Sequence, residues 1–345
     1  MQPLTSPFRI GEVEIPNRVL LAPMAGIGNW FVRLQAHRHG AGLAVSEMIS
    51  SHGLHHRNER TLRELLRIHP AEHPVSIQLF GHDPRVMRSA AAIAAQAGAD
   101  LIDVNMGCPV RKVCKAGAGA SLIRRAELAI ELARAAAEGS GRPVTVKLRP
   151  GIEPGDRAGL DLGVRLVAEA DVAAIALHPR AAAAQHGGRP EYALVRELAG
   201  RLAGAPAPVI VSGGLGSAEK ARRAYAESGA DAVMIARGAL GNPWIFGELT
   251  GRRTAAPQRA EIVDELLWTM GRTEEHLGAE RAARYARKLY PWYLERLGLR
   301  GRDAEALQRV DTLDAARRML VSWFGPARGG EGGRGPSLEP VPASL

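Results

Sequence analysis

Ala97-Gly98-Ala99-Asp100-Leu101-Ile102-Asp103-Val104-Asn105-Met106-Gly107-Cys108-Pro109 carries a helix stop, a strand and a sharp turn in one unbroken stretch. Gly98 supplies the left-handed residue that ends a preceding helix. The apolar run Leu101–Val104 reads as a strand, and Gly107 and Pro109 bend the chain where it ends, with Gly107 expected to take an unusual backbone angle. The same stop precedes another run at Ser228-Gly229-Ala230-Asp231. Working outward, short Val-, Leu- and Ile-rich runs stand at Val19–Ala22, Leu43–Val45, Val75–Leu79, Leu101–Val104, Val144–Leu148, Ala174–Leu177, Val209–Val211 and Ala232–Ile235, with helical segments between them. Such alternation marks parallel strands joined by crossover helices. About eight of them close a barrel, so the expected fold class is α/β, a (β/α)8 TIM barrel.

After Trp244-Ile245-Phe246 the pattern changes. A polar, Pro-containing linker runs from Arg252 to Arg259, and only helical periodicity follows. Ile262–Leu277, Ala279–Leu297 and Ala304–Phe324 are expected to build a small all-α unit, each helix needing burial against a neighbour. The expected organisation is a catalytic barrel over 1–250, a helical RNA-binding domain over 251–325 and a Gly-, Pro- and Ser-rich disordered tail over 326–345.

With 345 residues and a net charge of +9, the chain suits a polyanionic partner. Only 4% of residues are aromatic, which argues against a pure stacking platform for nucleic acid. Two cysteines, Cys108 and Cys114, make no disulfide framework and read as free thiols in a reducing compartment, hence the cytoplasm. Without a matching His pair they also make no usual zinc set, so no metal is expected. The amino terminus lacks a signal-type apolar stretch and no run approaches the ~18 apolar residues of a membrane span. A monomer with no membrane association is expected.

Active sites of such barrels lie at the carboxyl ends of the strands, so the residues just after each run are the ones to weigh. Gly213 and Gly214 after the seventh run let backbone N–H groups approach an anion, and Arg237 after the eighth adds a fixed charge, together a phosphate cradle. Lys147 interrupts an apolar strand and needs an anion as partner, with Arg149 following on the same face. Gln78 reads either as an amide for a heterocycle's edge or as a satisfied core amide. Cys108, directed by its turn and beside Asn105, is the candidate catalytic thiol. Cys114, in what reads as a mobile glycine-bordered loop, is the weaker one. His178 reads either as a hydrogen-bond donor over a bound ring or as a structural residue closing its strand. In the helical region Arg281, Arg284 and Lys288 recur at helical spacing as one face, with Arg287, Tyr285, Tyr290, Trp292 and Tyr293 among them. That face reads either as a solvated surface or as an RNA contact or domain interface.

Leu21-Ala22-Pro23-Met24-Ala25-Gly26, Val45-Ser46-Glu47-Met48, Ile77-Gln78-Leu79, Asp103 to Pro109, Val144 to Arg149 and Ala230 to Arg237 running on to Asn242-Pro243-Trp244 resemble the tRNA-dihydrouridine synthases, most closely the bacterial B-type branch. Arg284 to Lys288 with Trp292-Tyr293-Leu294 resembles that family's helical domain. The resemblance implies an FMN enzyme that takes electrons from NADPH and reduces the carbon 5–carbon 6 double bond of uracil in tRNA. It implies that Cys108 protonates carbon 5, a role suited to a thiol near its ordinary pKa of about 8.5. It further implies that Pro23, Met24 and Ala25 line the flavin, Gln78 pairs with its edge, Lys147 lies near its anionic pole and His178 completes the site. Ser212, Gly213, Gly214, Ala236 and Arg237 would hold the phosphate, while Asn105 and Arg149 would hold the uracil. Pro179-Arg180-Ala181 stands where the family usually has Gly-Arg-Thr after the His, and Ser212-Gly213-Gly214 where it has Asn-Gly-Asp. A barrel flavoenzyme acting on a free pyrimidine, of dihydroorotate dehydrogenase type, and an RNA-binding relative that has lost turnover are the competing readings.

Overall fold

The computed structural model describes residues 1–185 and 187–325. The tail expected at 326–345 lies outside the described residues. The chain divides into two compact units with the boundary at Ala256 and Pro257, inside the polar linker.

In the first unit the strands are β1 (Phe8–Ile10), β2 (Val13–Ile15), β3 (Val19–Leu21), β4 (Leu43–Val45), β5 (Ile49–Ser50), β6 (Val75–Phe80), β7 (Leu101–Met106), β8 (Val144–Leu148), β9 (Ala174–Leu177), β10 (Val209–Ser212) and β11 (Ala232–Ile235). The eight runs expected to be strands are all present, paired in parallel from β6 through β11 and on to β3 and β4. The β4–β6 pairing closes the ring, so the unit is a (β/α)8 barrel, and β5 only lengthens the edge beside β6. Helix boundaries follow their caps: Asp83 accepts from the N–H groups of Arg85 (2.8 Å) and Val86 (3.2 Å) to start Pro84–Gln96, and Ser217 starts Ala218–Ser228, which Gly229 ends at φ +62°.

The hairpin β1–β2 was not among the expected strands. Its Ile10 and Ile15 are fully buried in one cluster with Leu20, Leu43, Leu101, Ala174, Ile210 and Ala232, which plugs the amino-terminal end of the barrel. Each buried Ile contributes about 1.5–3 kcal/mol. Gly11, at φ +57°, turns the hairpin against Pro143, where a Cβ would sit 2.9 Å from the ring. The closed bottom leaves the opposite end, where strands give way to loops, as the open one.

The second unit holds the helices Arg259–Leu277, Ala279–Ala286, Tyr290–Leu297, Arg302–Arg309 and Leu313–Phe324. Two of the three expected segments are therefore broken. Pro291 cannot donate to the preceding turn, so the second segment restarts at Tyr290. The third restarts after Thr312, whose Oγ1 caps Ala315 N–H at 3.2 Å. Tyr290 and Tyr293 are core residues, and the Tyr293 hydroxyl meets Thr269 Oγ1 at 3.3 Å. Among the described residues no helix is long and apolar enough to cross a membrane.

Candidate active site

Three neighbouring strands build the centre of the barrel mouth. Register pairs Gln78 of β6 with Asp103 of β7 and Asp103 with Thr145 of β8; two residues on, Asn105 pairs with Lys147. Because side chains alternate along a strand, Asp103 and Asn105 share the inward face, as do Thr145 and Lys147. Asp103 accepts from Gln78 Nε2 (2.6 Å) and from the Thr145 hydroxyl (2.5 Å). Gln78 Oε1 accepts from Asn105 Nδ2 (2.9 Å), and Asn105 Oδ1 accepts from Cys108 N–H (2.9 Å) and Gly107 N–H (3.3 Å). Burial pushes the Asp103 carboxyl up to about 6, opposed by these hydrogen bonds and by Lys147.

The Cys108 turn is held from every side. Arg149, almost wholly buried, donates Nε to Gly107 O (2.9 Å) and Nη1 to the carbonyls of Arg180 (3.2 Å) and Ala181 (3.0 Å). The Cys108 carbonyl accepts from Ala120 N–H (3.0 Å) and from Cys114 Sγ (3.3 Å). Two expectations change here. Gly107 needs no unusual backbone angle; its φ is not left-handed, and glycine is favoured there by crowding, since a Cβ would stand 3.2 Å from Leu148 C and 3.3 Å from Lys147 O. The Cys114 stretch is not a loose loop either: Arg111–Lys115 is helical, and Cys114 packs against Ala120, Ile123 and Ala182. Burial pushes the Cys108 thiol up, outweighing Arg149, so it is protonated at neutral pH.

Lys147 stands above Asp103 without forming an ion pair. Burial, then Arg149, lowers its ammonium to about 8, and Asp103 opposes them. Among the described residues nothing accepts a hydrogen bond from it. Arg149 is lowered to about 10, first by burial and then by Arg180. On the β3 side, Met24 is nearly buried, and its carbonyl accepts from Gly28 N–H (2.8 Å). Glu47 Oε2 accepts from Gly26 N–H (2.7 Å), and Arg33 Nη1 braces Gly28 O (3.1 Å). Arg33 is itself clamped by Glu72 through Nε (2.7 Å) and Nη2 (2.9 Å), both side chains fully buried. Pro23 is half-buried and Ala25 exposed in this braced loop.

After β10 and β11 the backbone lies bare. Gly213 and Gly214 take φ +91° and +80°. A Cβ on Gly213 would fall 2.3 Å from the His178 ring, and one on Gly238 would fall 2.3 Å from Leu215 O. Ser212 is buried at the end of β10, and the Tyr192 hydroxyl ties Gly213 O at 3.1 Å. Among the described residues the N–H groups of Gly214 and Gly238 find no acceptor. Arg237, exposed beside Ala236, has no side-chain partner among them. Arg180, which the sequence showed only as part of a departure, is the missed cation. It donates Nη1 to His178 Nε2 (3.0 Å), and burial and Arg237 lower its guanidinium.

Arg281, Arg284 and Lys288 lie in the second unit and do not form one continuous helical face. The helix ends at Ala286, so Lys288 falls in the following turn, with its ammonium 4.9 Å from the Tyr285 ring centroid. Arg284 pairs with Glu280 at 2.9 Å, and Arg287 reaches Val310 O at 3.0 Å. Asp103, Thr145 and Tyr192 join Arg180 as residues that sequence reasoning passed over; the first two acquire their meaning from the register of β6, β7 and β8, which no local stretch of sequence carries.

A closed parallel barrel with a protonated thiol, a half-buried lysine and a rim of bare N–H groups beside Arg237 at its carboxyl end defines a TIM-barrel enzyme. The described residues hold no group of three His, Cys, Asp or Glu side chains able to bind a metal ion. The chain belongs to the dihydrouridine synthase family, whose model matches residues 20–316. It is 36% identical over 323 residues to tRNA-dihydrouridine synthase B of Xanthomonas axonopodis pv. citri, covering 92% of this chain and 96% of that one. It is 37% identical over 298 residues to tRNA-dihydrouridine synthase B of Pseudomonas aeruginosa, covering 85% and 88%. In fold it is similar to a 2-naphthoyl-CoA reductase, with TM-score 0.56 and 16% identity, covering 72% of this chain but only 52% of that one. Histamine dehydrogenase from Rhizobium sp. 4-9 follows with TM-score 0.54 and 15% identity, at 72% and 48%.

Proposed function

We propose that this protein reduces the carbon 5–carbon 6 double bond of uridines in tRNA, with FMN as cofactor and NADPH as reductant. Family membership supplies the reaction class, and the observation that carries the residue assignment is the protonated Cys108 thiol on a turn pinned by Asn105 and Arg149. The residues fit a flavin mononucleotide: the N–H groups of Gly214 and Gly238 and the free Arg237 guanidinium suit its phosphate, and the unpartnered Lys147 ammonium suits an electron-rich ring. Bound FMN would supply hydride to carbon 6 of the uracil.

Cys108 delivers a proton from Sγ to carbon 5; its raised pKa keeps that proton available at neutral pH, and the turn fixes its direction. Lys147, lowered to about 8 and so still mostly charged at neutral pH, would offer its ammonium to the electron-rich ring of bound FMN. His178, held over Gly213 by Arg180, closes the phosphate side of the cradle. Asn105 Oδ1 and Arg149 Nε both hold the Cys108 turn, so these two residues contribute to uracil binding through its placement. Pro23, Met24 and Ala25 supply one wall, braced through Gly28 by Arg33. The cationic residues of the second unit, Arg281, Arg284 and Lys288, supply charge for the RNA backbone, and a monomer suffices for all these roles.

The test is in two half-reactions on the purified, FMN-loaded protein: bleaching of the flavin by NADPH, then its reoxidation by unmodified tRNA, with dihydrouridine read by mass spectrometry. Reoxidation by orotate and not by tRNA would establish the free-pyrimidine reading instead. No bleaching and no reoxidation, with tRNA still bound, would establish a binding protein.

A further inference from the structure

We propose that Asp103 is a positioning residue: by accepting hydrogen bonds from both flanking strands it fixes the direction of the Gln78 amide, and through Asn105 the turn that carries Cys108. The argument rests on the polarity of the chain of contacts. A carboxylate only accepts, whereas an amide both donates and accepts and can turn end for end. Asp103 takes Gln78 Nε2 at 2.6 Å and the Thr145 hydroxyl at 2.5 Å. With its nitrogen committed to Asp103, Gln78 presents Oε1 to Asn105 Nδ2 at 2.9 Å, and Asn105 must then present Oδ1 to Cys108 N–H, also at 2.9 Å. Every link donates towards Asp103. A reversal of Gln78 would set two amide nitrogens face to face and take the acceptor away from the Cys108 turn.

The three strands make this directionality rigid, since Gln78, Asp103 and Thr145 are register partners and all are buried. Asp103 touches neither the thiol nor the strand-end anion cradle, and acts only through Gln78 and Asn105.

The inference rests on the reading of Cys108 as the proton donor, but its decisive readout does not. Iodoacetamide labelling of the full chain is followed by tryptic peptide mapping, which separates the two thiols because Arg111 and Lys112 lie between Cys108 and Cys114. D103L/T145V takes the acceptor away from Gln78 Nε2 and removes the Thr145 hydroxyl with it, so no buried hydroxyl is orphaned and Gln78 is left to re-orient. Cys108 labelling should rise about 3- to 10-fold as the turn loosens, and flavin reoxidation by tRNA should slow about 10- to 100-fold. D103N should stay within about 3-fold of the wild type in both, because its Oδ1 still accepts from Gln78 while the Thr145 hydroxyl rotates to accept from its nitrogen.

Wild-type labelling in D103L/T145V would overturn the proposal, and so would D103N as impaired as the double variant, since charge and not direction would then be what matters. If D103L/T145V does not fold, D103N/T145V decides: without Thr145 as acceptor its nitrogen turns to Gln78 Oε1, and unchanged Cys108 labelling there overturns the proposal. A wild-type flavin that tRNA does not reoxidise sinks the functional reading, while the labelling series still judges Asp103.

Discussion

Cys108→Ala isolates the proton-transfer step from everything else the mouth does. The side chain is the only part of the turn that the substitution touches: Cys108 N–H still meets Asn105 Oδ1 and Cys108 O still meets Ala120 N–H. Bleaching by NADPH should therefore proceed normally, while reoxidation by tRNA loses its acid. Removing a positioned general acid costs about 100- to 10,000-fold, or about 3–5 kcal/mol of barrier. The pH profile has a defined sign. The protonated thiol is the active form and burial raises its pKa, so the wild-type reoxidation rate should hold through neutral pH and decline only above the ordinary thiol range. Cys108→Ala should show no such alkaline limb. The assay is stopped-flow absorbance of the flavin in each half-reaction between pH 6 and about 10, the upper limit set to span the thiol's titration. A variant reoxidised by tRNA within about threefold of the wild type would refute the assignment, and so would a wild-type limb lying below the ordinary thiol pKa.

Arg237→Ala should weaken FMN binding about 10- to 150-fold, the equivalent of ~1.5–3 kcal/mol for one charge-assisted phosphate contact, as measured by fluorescence titration. Glu72→Gln leaves Arg33 buried without its counter-charge; a loss of ~3–5 kcal/mol is expected in urea unfolding, and a loss under ~1 kcal/mol would show that the pair is dispensable. Burial raises the Asp103 carboxyl to about 6 from an unfolded value near 3.9, so the folded state binds that proton more tightly. Its contribution is fully present below pH ~4 and lost as pH rises through ~6, about 3 kcal/mol in all; the pH dependence of unfolding should flatten correspondingly in Asp103→Asn. Truncation after Ala256 should leave a folded barrel that binds FMN but has weakened, less salt-dependent affinity for tRNA in filter binding. Undiminished affinity would give the helical unit another purpose.

What the sequence disclosed about the barrel, and what it did not, divides along one physical line. Strands and their ends were legible because the signals are local: Gly98 and Gly229 stop helices, and Val144–Leu148 or Ala232–Ile235 can only be buried strands. Cys108, Lys147 and the Gly213-Gly214 and Arg237 cradle were legible for the same reason, since each sits immediately beyond such a run. The breaks at Pro291 and Thr312 were equally local and could have been drawn from the proline and the cap. Asp103 was different. Within Leu101-Ile102-Asp103-Val104 a carboxylate looks like an alternation of faces, and its meaning depends on which residues of β6 and β8 lie beside it. Register in a closed barrel is set by the shear of the whole ring, not by any one strand. Gln78, Asp103 and Thr145, widely separated along the chain, become one hydrogen-bonded layer only after closure. Asn105 and Lys147 form the layer above, so the lower layer orients the groups that the upper one presents. Arg180 shows the converse case: it lies two residues from His178 in sequence, yet its contact with the ring that stands over Gly213 appears only in the folded chain. Candidate residues at strand ends are thus readable from the sequence, whereas the residues that hold them are readable only from lateral neighbours.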